Sequence, residues 1–274
     1  MRSAIRGALL SGRRRPVVRG GARPYPRRGD GFEIAELRAY VEGDDPRRID
    51  WAATARAGGL QVRVLLEEHA LCLAAIVDDS ASMNVGKTRS LRTAMYEALD
   101  AWADAMTRED RAVRIFPDDV DAPRLLGVGA ASRLRERHEI REFDMNAALR
   151  LARFSLPRDA ALLVISDFFE PLDDELLREI GTFVDATALI ARDPWSEVLP
   201  LRGFVRFRDA ETGTTRAVFM GGAQRRRFHE AVERRHSALE QRFATCGWRV
   251  GRLDEGDGAT SLLAAFGVAH VEGR

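Results

Sequence analysis

The sequence predicts an α/β protein in which helices cover both faces of a parallel sheet. From about residue 67 onward, short apolar runs alternate with amphipathic segments, which is typical of repeated strand–helix units. The first run, 71–77, shows no polar alternation, as expected for a strand buried on both faces. The chain has 274 residues, of which 45% are hydrophobic, and this is enough to bury a sizeable core.

Each further element is predicted from its own pattern. Leu91, Met95 and Leu99 recur at helical spacing, which indicates an amphipathic helix. After residue 194 two β-type runs flank a turn at 211–213, which predicts a hairpin and then a long charged helix. The predicted elements are, in order, strand 71–77, helix 88–106, strand 112–116, strand 124–128, helix 145–154, strand 160–165, helix 172–182, strand 184–191, hairpin 204–208 with 215–220, helix 224–245, strand 248–253 and helix 260–266.

Charge is distributed unevenly along the chain. The formal net charge is +1, yet residues 1–30 hold nine arginines and one acid, Asp30, which leaves −7 on the remainder. An acidic body argues against nucleic-acid binding. Residues 1–30 are rich in Arg, Gly and Pro without periodicity, so we predict a flexible basic arm there, a candidate contact for acidic surfaces. Residues 31–66 are interpreted as short extended pieces separated by turns.

The cysteines and the apolar runs bear on the cellular compartment. Cys72 and Cys246 lie far apart in apolar surroundings, without the CxxC spacing of a metal or redox site, so we expect buried, reduced thiols. No apolar run approaches the roughly 18–20 residues that span a bilayer. The first residues also lack the apolar core of a signal peptide. These observations predict a cytoplasmic protein without a membrane span.

Acids and hydroxyls follow two of the predicted strands. The pattern Asp78-x-Ser80-x-Ser82 follows the first strand, and Asp167 follows another directly after Ser166. Ligands of parallel sheets bind beyond the carboxyl ends of the strands, so these side chains are expected to share one crevice. Carboxylate and hydroxyl oxygens suit Mg²⁺. The alternative interpretation is that they serve only as turn and helix-capping residues.

Two enzymatic hypotheses use the same region. Segment 81–88, Ala-Ser-Met-Asn-Val-Gly-Lys-Thr, nearly matches the GxxxxGK[ST] phosphate-binding loop. However, Ala81 replaces the first glycine, and Asp78 with its neighbour Asp79 would repel phosphates. A P-loop-like nucleotide hydrolase is therefore an alternative function. A Mg²⁺-dependent phosphoesterase is another, and Asp144 is the further carboxylate it would need. Nothing in the sequence requires an enzyme.

A long stretch of the chain resembles the domain-of-unknown-function-58 family. The resemblance covers roughly residues 29–270 and implies a von Willebrand factor A-like (Rossmann-like) domain over 67–274. It also implies that residues 31–66 form a signature extension packing on the sheet edge. The matching segments are Gly29-x-Gly31-Phe32-Glu33, residues 37–51 (LRAYVEGDDPRRIDW), Ala55-Arg56, 77–83, 165–168, 193–200 and 209–213.

The resemblance also implies a metal-ion-dependent adhesion site. Such a site takes a DxSxS loop, a threonine and a further aspartate, which assigns Asp78, Ser80, Ser82 and Asp167 here. Where the family shows Thr-Asp, this chain has Phe143 followed by Asp144. An aromatic ring cannot bind Mg²⁺, so we expect either a site rebuilt with Asp144 or one that has lost its metal.

The function that the resemblance implies is protein interaction without catalysis. Members of the family are associated with MoxR-type AAA+ ATPases in chaperone-like assembly or maturation. The expected partner is therefore such an ATPase or its client protein. If metal binds, an open coordination position would accept a carboxylate from that partner.

Overall fold

The structure is a computed structural model that describes residues 2–12, 33–66, 71–108, 110–116, 131–135, 143–158, 160–197, 203–208 and 213–268. They fall into two compact units, one of residues 1–15 with 71–274 and one of residues 16–70. Within these described ranges, no helix combines the length and the apolar character that crossing a membrane requires. The predicted packing of residues 31–66 on the sheet edge stays a prediction.

Helices and strands alternate along much of the described chain. They are α1 (Arg2–Gly12), β1 (Glu33–Ala39), α2 (Trp51–Ala57), β2 (Gln61–Leu66), β3 (Cys72–Val77), α3 (Leu91–Asp104), β4 (Arg111–Arg114), α4 (Ala131–Leu134), α5 (Met145–Ser155), β5 (Ala161–Ser166), α6 (Asp174–Phe183), β6 (Asp185–Ala191), α7 (Pro194–Glu197), β7 (Gly203–Arg208), β8 (Thr215–Met220), α8 (Gly222–Thr245), β9 (Arg249–Leu253) and α9 (Gly258–Ala265).

The larger unit is built on a parallel sheet. Its strand order is β4-β3-β5-β6-β9, and every neighbouring pair is parallel. The chain therefore starts in the middle of the sheet, goes to one edge and then crosses back to the other side. In such doubly wound sheets the reversal creates a crevice between the two strands at the switch point. Here those strands are β3 and β5.

Helices cover both faces of this sheet. Ala74 and Ile76 of β3 point into a core shared with α5, α6 and α8. Leu73, Ala75 and Val77 point into a second core with α3 and α9. Successive residues of a strand point to opposite faces, so a strand buried on both faces needs an apolar residue at every position. This confirms the predicted α/β class with helices on both faces.

The predicted elements of this unit agree with the structure within a few residues. The hairpin is formed by β7 and β8, and the long charged helix is α8. α3 begins at Leu91, later than predicted, because the hydroxyl of Ser90 caps it by accepting the N–H of Thr93. Both cysteines are buried and neither forms a disulfide bond, as expected. The strand predicted at 124–128 lies outside the described residues.

The first residues of the chain differ from the expected flexible arm. Residues 2–12 form α1, and its Ile5 and Leu9 are fully buried in the same core as α3. Arg6 forms an ion pair with the buried Asp110. Residues four apart share one face of a helix, so Ile5 and Leu9 dock together although the apolar patch around them is very short. The remainder of the predicted arm, residues 13–30, lies outside the described part of the chain.

The smaller unit contains residues 37–51, the longest of the segments that carry the family resemblance. β1 and β2 pair antiparallel, and α2 lies between them in the chain. Asp50 caps α2 by accepting the N–H of Ala53 at 2.9 Å, and it accepts a hydrogen bond from Arg63 at 2.9 Å. The sequence analysis missed α2 because seven residues are too few to show a helical period.

Candidate functional site

The polar side chains that follow β3 and β5 meet at the switch point. Ser166 Oγ donates a hydrogen bond to Asp78 Oδ2 at 2.7 Å, and the Asp78 N–H donates to the carbonyl of Ile165 at 2.8 Å. The two strand ends are thereby joined, and both of their acids lie at one edge of the sheet. We call the group of Asp78, Ser80, Ser82, Ser166 and Asp167 the crevice.

The DxSxS segment folds back on itself so that its oxygens converge. The N–H of Ser80 donates to Asp78 Oδ1 at 3.1 Å, and the hydroxyl oxygens of Ser80 and Ser82 are 3.0 Å apart. The charge of Asp78 and the hydroxyl of Ser82 both act on the pKa of Asp167, so these side chains lie near one another. Side chains from two distant parts of the chain therefore meet at one place, while the role of Asp78, Ser80, Ser82 and Asp167 as metal ligands stays a prediction.

Asp79 has a different role from its neighbour Asp78. Its carboxylate is buried and forms an ion pair with Arg92 Nε at 3.0 Å, and the hydroxyl of Tyr96 donates to it. Arg92 also donates to the carbonyls of Asp79 and Ser80, at 2.7 and 2.9 Å. Both partners belong to α3, so Asp79 fastens the DxSxS loop to that helix.

Negative charge accumulates in the crevice. Burial raises the pKa of Asp167 above its ordinary value, and the nearby charge of Asp78 raises it further. Hydrogen bonds from Ser82 and from the N–H of Phe169 oppose this shift only in part. The charge of Asp78 disfavours the ionised form of Asp167, and a nearby cation would favour that form. The crevice is therefore a favourable position for a cation.

Glu170 is an acid near the crevice that the sequence analysis missed. Its pKa is raised by burial first, then by the charge of Asp144, and to a smaller degree by Asp78 and Asp167. The position of Glu170, three residues after Asp167 in the sequence, was the signal that could have indicated a further acid near the crevice. The sequence could not tell whether this side chain faced solvent or the other acids, because that depends on the turn at 167–169.

Phe143 and Asp144, which the resemblance matches to a Thr-Asp pair, lie directly before α5. Phe143 is buried in the core beside α5. Asp144 is exposed and caps α5, with its Oδ1 accepting the N–H of Ala147 at 2.8 Å. The sequence-based assignment of Asp144 to the metal site thus has a competing structural explanation. Its charge raises the pKa of Glu170, an acid near the crevice.

An unusual turn separates two adjacent phenylalanines after β5. Phe168 has φ of 51°, a left-handed conformation that is uncommon for a bulky residue. Its ring is buried edge-on against Phe243 of α8, with 4.8 Å between centroids. Phe169 is turned outward and is 74% exposed. The turn therefore fixes one ring in the core and presents the next at the rim of the crevice.

Arg235 of α8 holds this turn in place. Its guanidinium donates to the carbonyls of Asp167 and Phe168, at 3.0 and 2.8 Å. It also lies 4.0 Å from the ring centroid of Phe169. Arg242, two helical turns further along α8, donates to the carbonyl of Leu172. α8 therefore determines the position of the loop that carries Asp167 and Glu170.

The segment that resembles a phosphate-binding loop has another geometry. The N–H groups of Lys87 and Thr88 donate to the carboxylate of Glu255, at 2.6 and 3.0 Å. Trp195 donates its indole N–H to the carbonyl of Gly86 at 3.0 Å. A phosphate cradle needs free N–H groups at the start of a helix, whereas α3 begins only at Leu91. The geometry does not favour nucleotide binding here.

The donor set of the crevice suits a hard cation only in part. Two carboxylates and two hydroxyls supply oxygen ligands of the kind Mg²⁺ takes. The expected threonine is absent, and Asp78 already accepts hydrogen bonds on both oxygens. Within the described portion of the chain, no group of three or more His, Cys, Asp or Glu side chains is arranged to hold a metal ion.

Fold and crevice together define a doubly wound α/β protein with a polar site at its switch point. Residues 36–238 match the family described as "Protein of unknown function DUF58". The chain belongs to this family, which confirms the family named from the signature segments.

The chain is also similar to several individual proteins. Uncharacterized proteins of Mycobacterium tuberculosis and Mycobacterium bovis are 29% identical over 238 residues, which is 80% of this chain and 73% of theirs. An aerotolerance-related membrane protein from Bacteroides fragilis is 16% identical, with a TM-score of 0.43, over 72% of this chain and 96% of that one. BatB, a conserved hypothetical protein from Bacteroides thetaiotaomicron, is 15% identical, with a TM-score of 0.44, over 73% and 98%.

Proposed function

We propose that this chain is a non-enzymatic protein-interaction module of the von Willebrand factor A-like type, whose partner binds at the crevice. The observation that carries the proposal is the convergence of Asp78, Ser80, Ser82 and Asp167 at the switch point of the sheet. Doubly wound sheets bind their ligands at this place. The crevice holds an excess of acids and hydroxyls.

We include Mg²⁺ as a proposed cofactor of this interaction. Asp78, Ser80, Ser82 and Asp167 would hold it, with Asp144 or Glu170 as an additional acid. When bound, the ion would supply an open coordination position for a carboxylate of the partner. Support comes from the raised pKa of Asp167, which burial and the charge of Asp78 produce. Phe143 counts against it, because its ring replaces an oxygen ligand.

As the partner we propose a MoxR-type AAA+ ATPase or its client protein, acting in chaperone-like assembly or maturation. This is the association implied by the family resemblance. The crevice supplies the physical means: hydroxyls and carboxylates that α3 holds through Asp79 and α8 holds through Arg235, so that little order needs to be gained on binding.

The proposal is tested by capture of a MoxR-type ATPase from the same genome on the immobilised full chain, with and without Mg²⁺. Asp78→Ala removes the acid that joins the two strand ends. We expect capture to fall about tenfold or more, as for loss of a central polar contact. Asp100→Ala, which removes an exposed acid of α3, is the control. Equal capture by wild type and Asp78→Ala would refute the proposed site.

A Mg²⁺-dependent phosphoesterase is the second candidate, because Glu170 supplies a further carboxylate whose pKa responds to Asp78 and Asp167. Its test is hydrolysis of p-nitrophenyl phosphate with Mg²⁺ or Mn²⁺. Turnover by the wild type that disappears in Asp78→Ala would favour catalysis over the binding module. Turnover that survives in Asp78→Ala would point to a contaminating activity.

A further inference from the structure

α8 extends beyond the carboxyl edge of the sheet, beside the crevice. The helix is followed by a tight turn and then by β9, which is parallel to β6, so α8 runs against the strand direction. Arg192, at the carboxyl end of β6, lies 3.5 Å from Glu233 and 3.0 Å from Glu240. The helix therefore passes the sheet edge between residues 233 and 240. Residues 222–232 rise beyond it by roughly 16 Å, at about 1.5 Å per residue.

This projecting part of α8 contributes nothing to the core. The buried residues of the helix are His236, Leu239 and Phe243, all of them beyond Glu233 in the chain. We call residues 222–232 together with β7 and β8 the arm; this arm is distinct from the basic segment of residues 1–30. Ordering a segment costs conformational entropy, and residues 222–232 contribute no buried side chain that would offset this cost.

The hairpin of the arm presents a pair of aromatic rings to solvent. Phe204 and Phe219 stand opposite each other on neighbouring strands and pack edge-to-face, with 5.4 Å between centroids. They are 84% and 53% exposed, whereas Val205 and Met220, on the other face of the hairpin, are buried. One face of the hairpin is thus packed against the molecule, and the aromatic face is left uncovered among the described residues.

The same part of the chain is rich in arginine. Arg206 shares the face of Phe204, two residues along β7, and Arg225, Arg226 and Arg227 lie in the first turns of α8. Residues 203–234 hold seven arginines against four acids, two of which lie in the connection 209–212. Aromatic residues and arginines are the residue types enriched at the centres of protein interfaces.

We propose that the arm is a docking surface for an acidic segment of a partner protein, with an apolar side chain of that segment packed on Phe204 and Phe219. This inference rests on the proposed function, because it assumes that the partner on the arm is the same protein that binds at the crevice. The arm stands beside the crevice through Arg235, which links α8 to the loop carrying Asp167. An acidic segment held by the arm would bring its carboxylates to that rim.

Two other occupants fit the arm less well. Three consecutive arginines cover about 200° of a helix at 100° per residue, which leaves a narrower apolar face than membrane-surface helices present. Nucleic acid would bring a long row of phosphates close to a chain that carries a net charge of −7 outside residues 1–30, which repels an extended polyanion more strongly than a short acidic segment. Both occupants remain outcomes of the test.

The test measures fluorescence anisotropy of a labelled peptide in which Asp and Glu alternate with Leu and Phe, titrated with the full chain at low salt. The wild type should bind this probe and should not bind a version in which Lys replaces the acids. Phe204→Ala and Arg226→Glu should each weaken binding about tenfold, as for hot-spot residues. Phe154→Ala and Arg178→Glu are matched controls, because Phe154 is an exposed ring of α5 and Arg178 is an exposed residue of α6. Both controls should bind as the wild type does.

The possible results separate the docking surface from the crevice. If Asp78→Ala binds the probe normally while the arm variants do not, the docking surface stands, whatever the ATPase capture shows for the crevice. Absence of probe binding, or equal losses in arm and control variants, overturns the docking surface and leaves the crevice untouched. Stronger binding of the arm to phosphatidylserine vesicles or to single-stranded DNA than to the probe also overturns it.

Discussion

Adjacent residues of similar chemistry have different functions in this protein, and the direction of each side chain decides which. Asp78 faces the crevice and joins two strands, whereas Asp79 is bound by Arg92 and Tyr96. Phe168 is buried and Phe169 is exposed. The DxSxS spacing was enough to predict that the side chains of Asp78, Ser80 and Ser82 lie close together. Their role as metal ligands stays a prediction. The spacing could not predict Glu170, because its orientation follows from the left-handed turn at Phe168.

The first prediction at the residue scale concerns the charge of Asp167. Its raised pKa, caused by burial and then by Asp78, means that its ionised form destabilises the folded state above its folded pKa. Asp167→Asn should therefore raise the melting temperature at about pH 7, by about 2–4 °C if the gain is near 1 kcal/mol. As the pH falls towards 4, the wild type gains the proton and the difference should disappear. A lower melting temperature for Asp167→Asn at both pH values would contradict this account of the crevice.

His236 gives a second, pH-dependent prediction. Burial lowers its pKa below the ordinary 6.5, and the charges of Arg192 and Arg235 lower it further. The unfolded chain therefore binds a proton on this residue before the folded chain does. Stability should be full above about pH 6.5 and fall as the pH drops below it, by at most about 1.4 kcal/mol per pH unit from this one group. Urea unfolding between about pH 7.5 and pH 5.5 should show a smaller decrease for His236→Gln than for the wild type.

At the scale of elements, α8 connects three parts of the larger unit. Its last turns pack on the core through Phe243, its middle holds the loop after β5 through Arg235 and Arg242, and its first turns belong to the arm. The sequence predicted the helix and its bounds well, because a long run without Gly or Pro is clear evidence of a helix. It could not reveal the role of the arginines, which looked like the solvated face of a charged helix.

Arg235→Ala is the prediction that belongs to α8. Removing the guanidinium leaves the carbonyls of Asp167 and Phe168 without their donor, so the free energy of unfolding should fall by about 1–2 kcal/mol. Capture of the ATPase should fall as well, since the loop that bears Asp167 is released. Arg235→Lys keeps a donor and should restore part of both quantities. Arg234→Ala, at an exposed neighbouring position, should change the unfolding free energy by less than about 0.5 kcal/mol. Equal effects at the two positions would exclude a specific role for Arg235.

At the scale of the whole molecule, the strands of the parallel sheet were predictable from the sequence, whereas their order in the sheet and the docking of α1 were not. β3 and β5 are buried on both faces, so the apolar runs marked them directly in the sequence. Strand order leaves no such local signal. The placement of the crevice between β3 and β5 therefore came from the general rule for strand ends and needed the structure for its geometry. α1 escaped prediction because two apolar side chains do not make a visible period.

The docking of α1 can be tested in the intact chain. Ile5→Asp places a charge where the side chain is fully buried, and we expect a loss of about 3 kcal/mol or more in the free energy of unfolding. Gly7→Ala on the same helix is the control. A methyl group there meets no neighbouring atom within 4 Å, and Ala favours a helix over Gly by up to about 1 kcal/mol. If Ile5→Asp unfolds at the same urea concentration as the wild type, the N-terminal residues do not belong to the core.

The bond between the indole of Trp195 and the carbonyl of Gly86 has a practical consequence. Trp102 and Trp248 are buried, while Trp195 is 39% exposed and rests against the segment that follows the DxSxS loop. Intrinsic emission from this ring should respond when that segment shifts, because its polarity and its hydrogen bond both change. Replacing Trp51, which is 68% exposed, by Phe would remove the other solvent-facing signal. The protein would then carry its own optical probe for ligand titrations, without any attached dye.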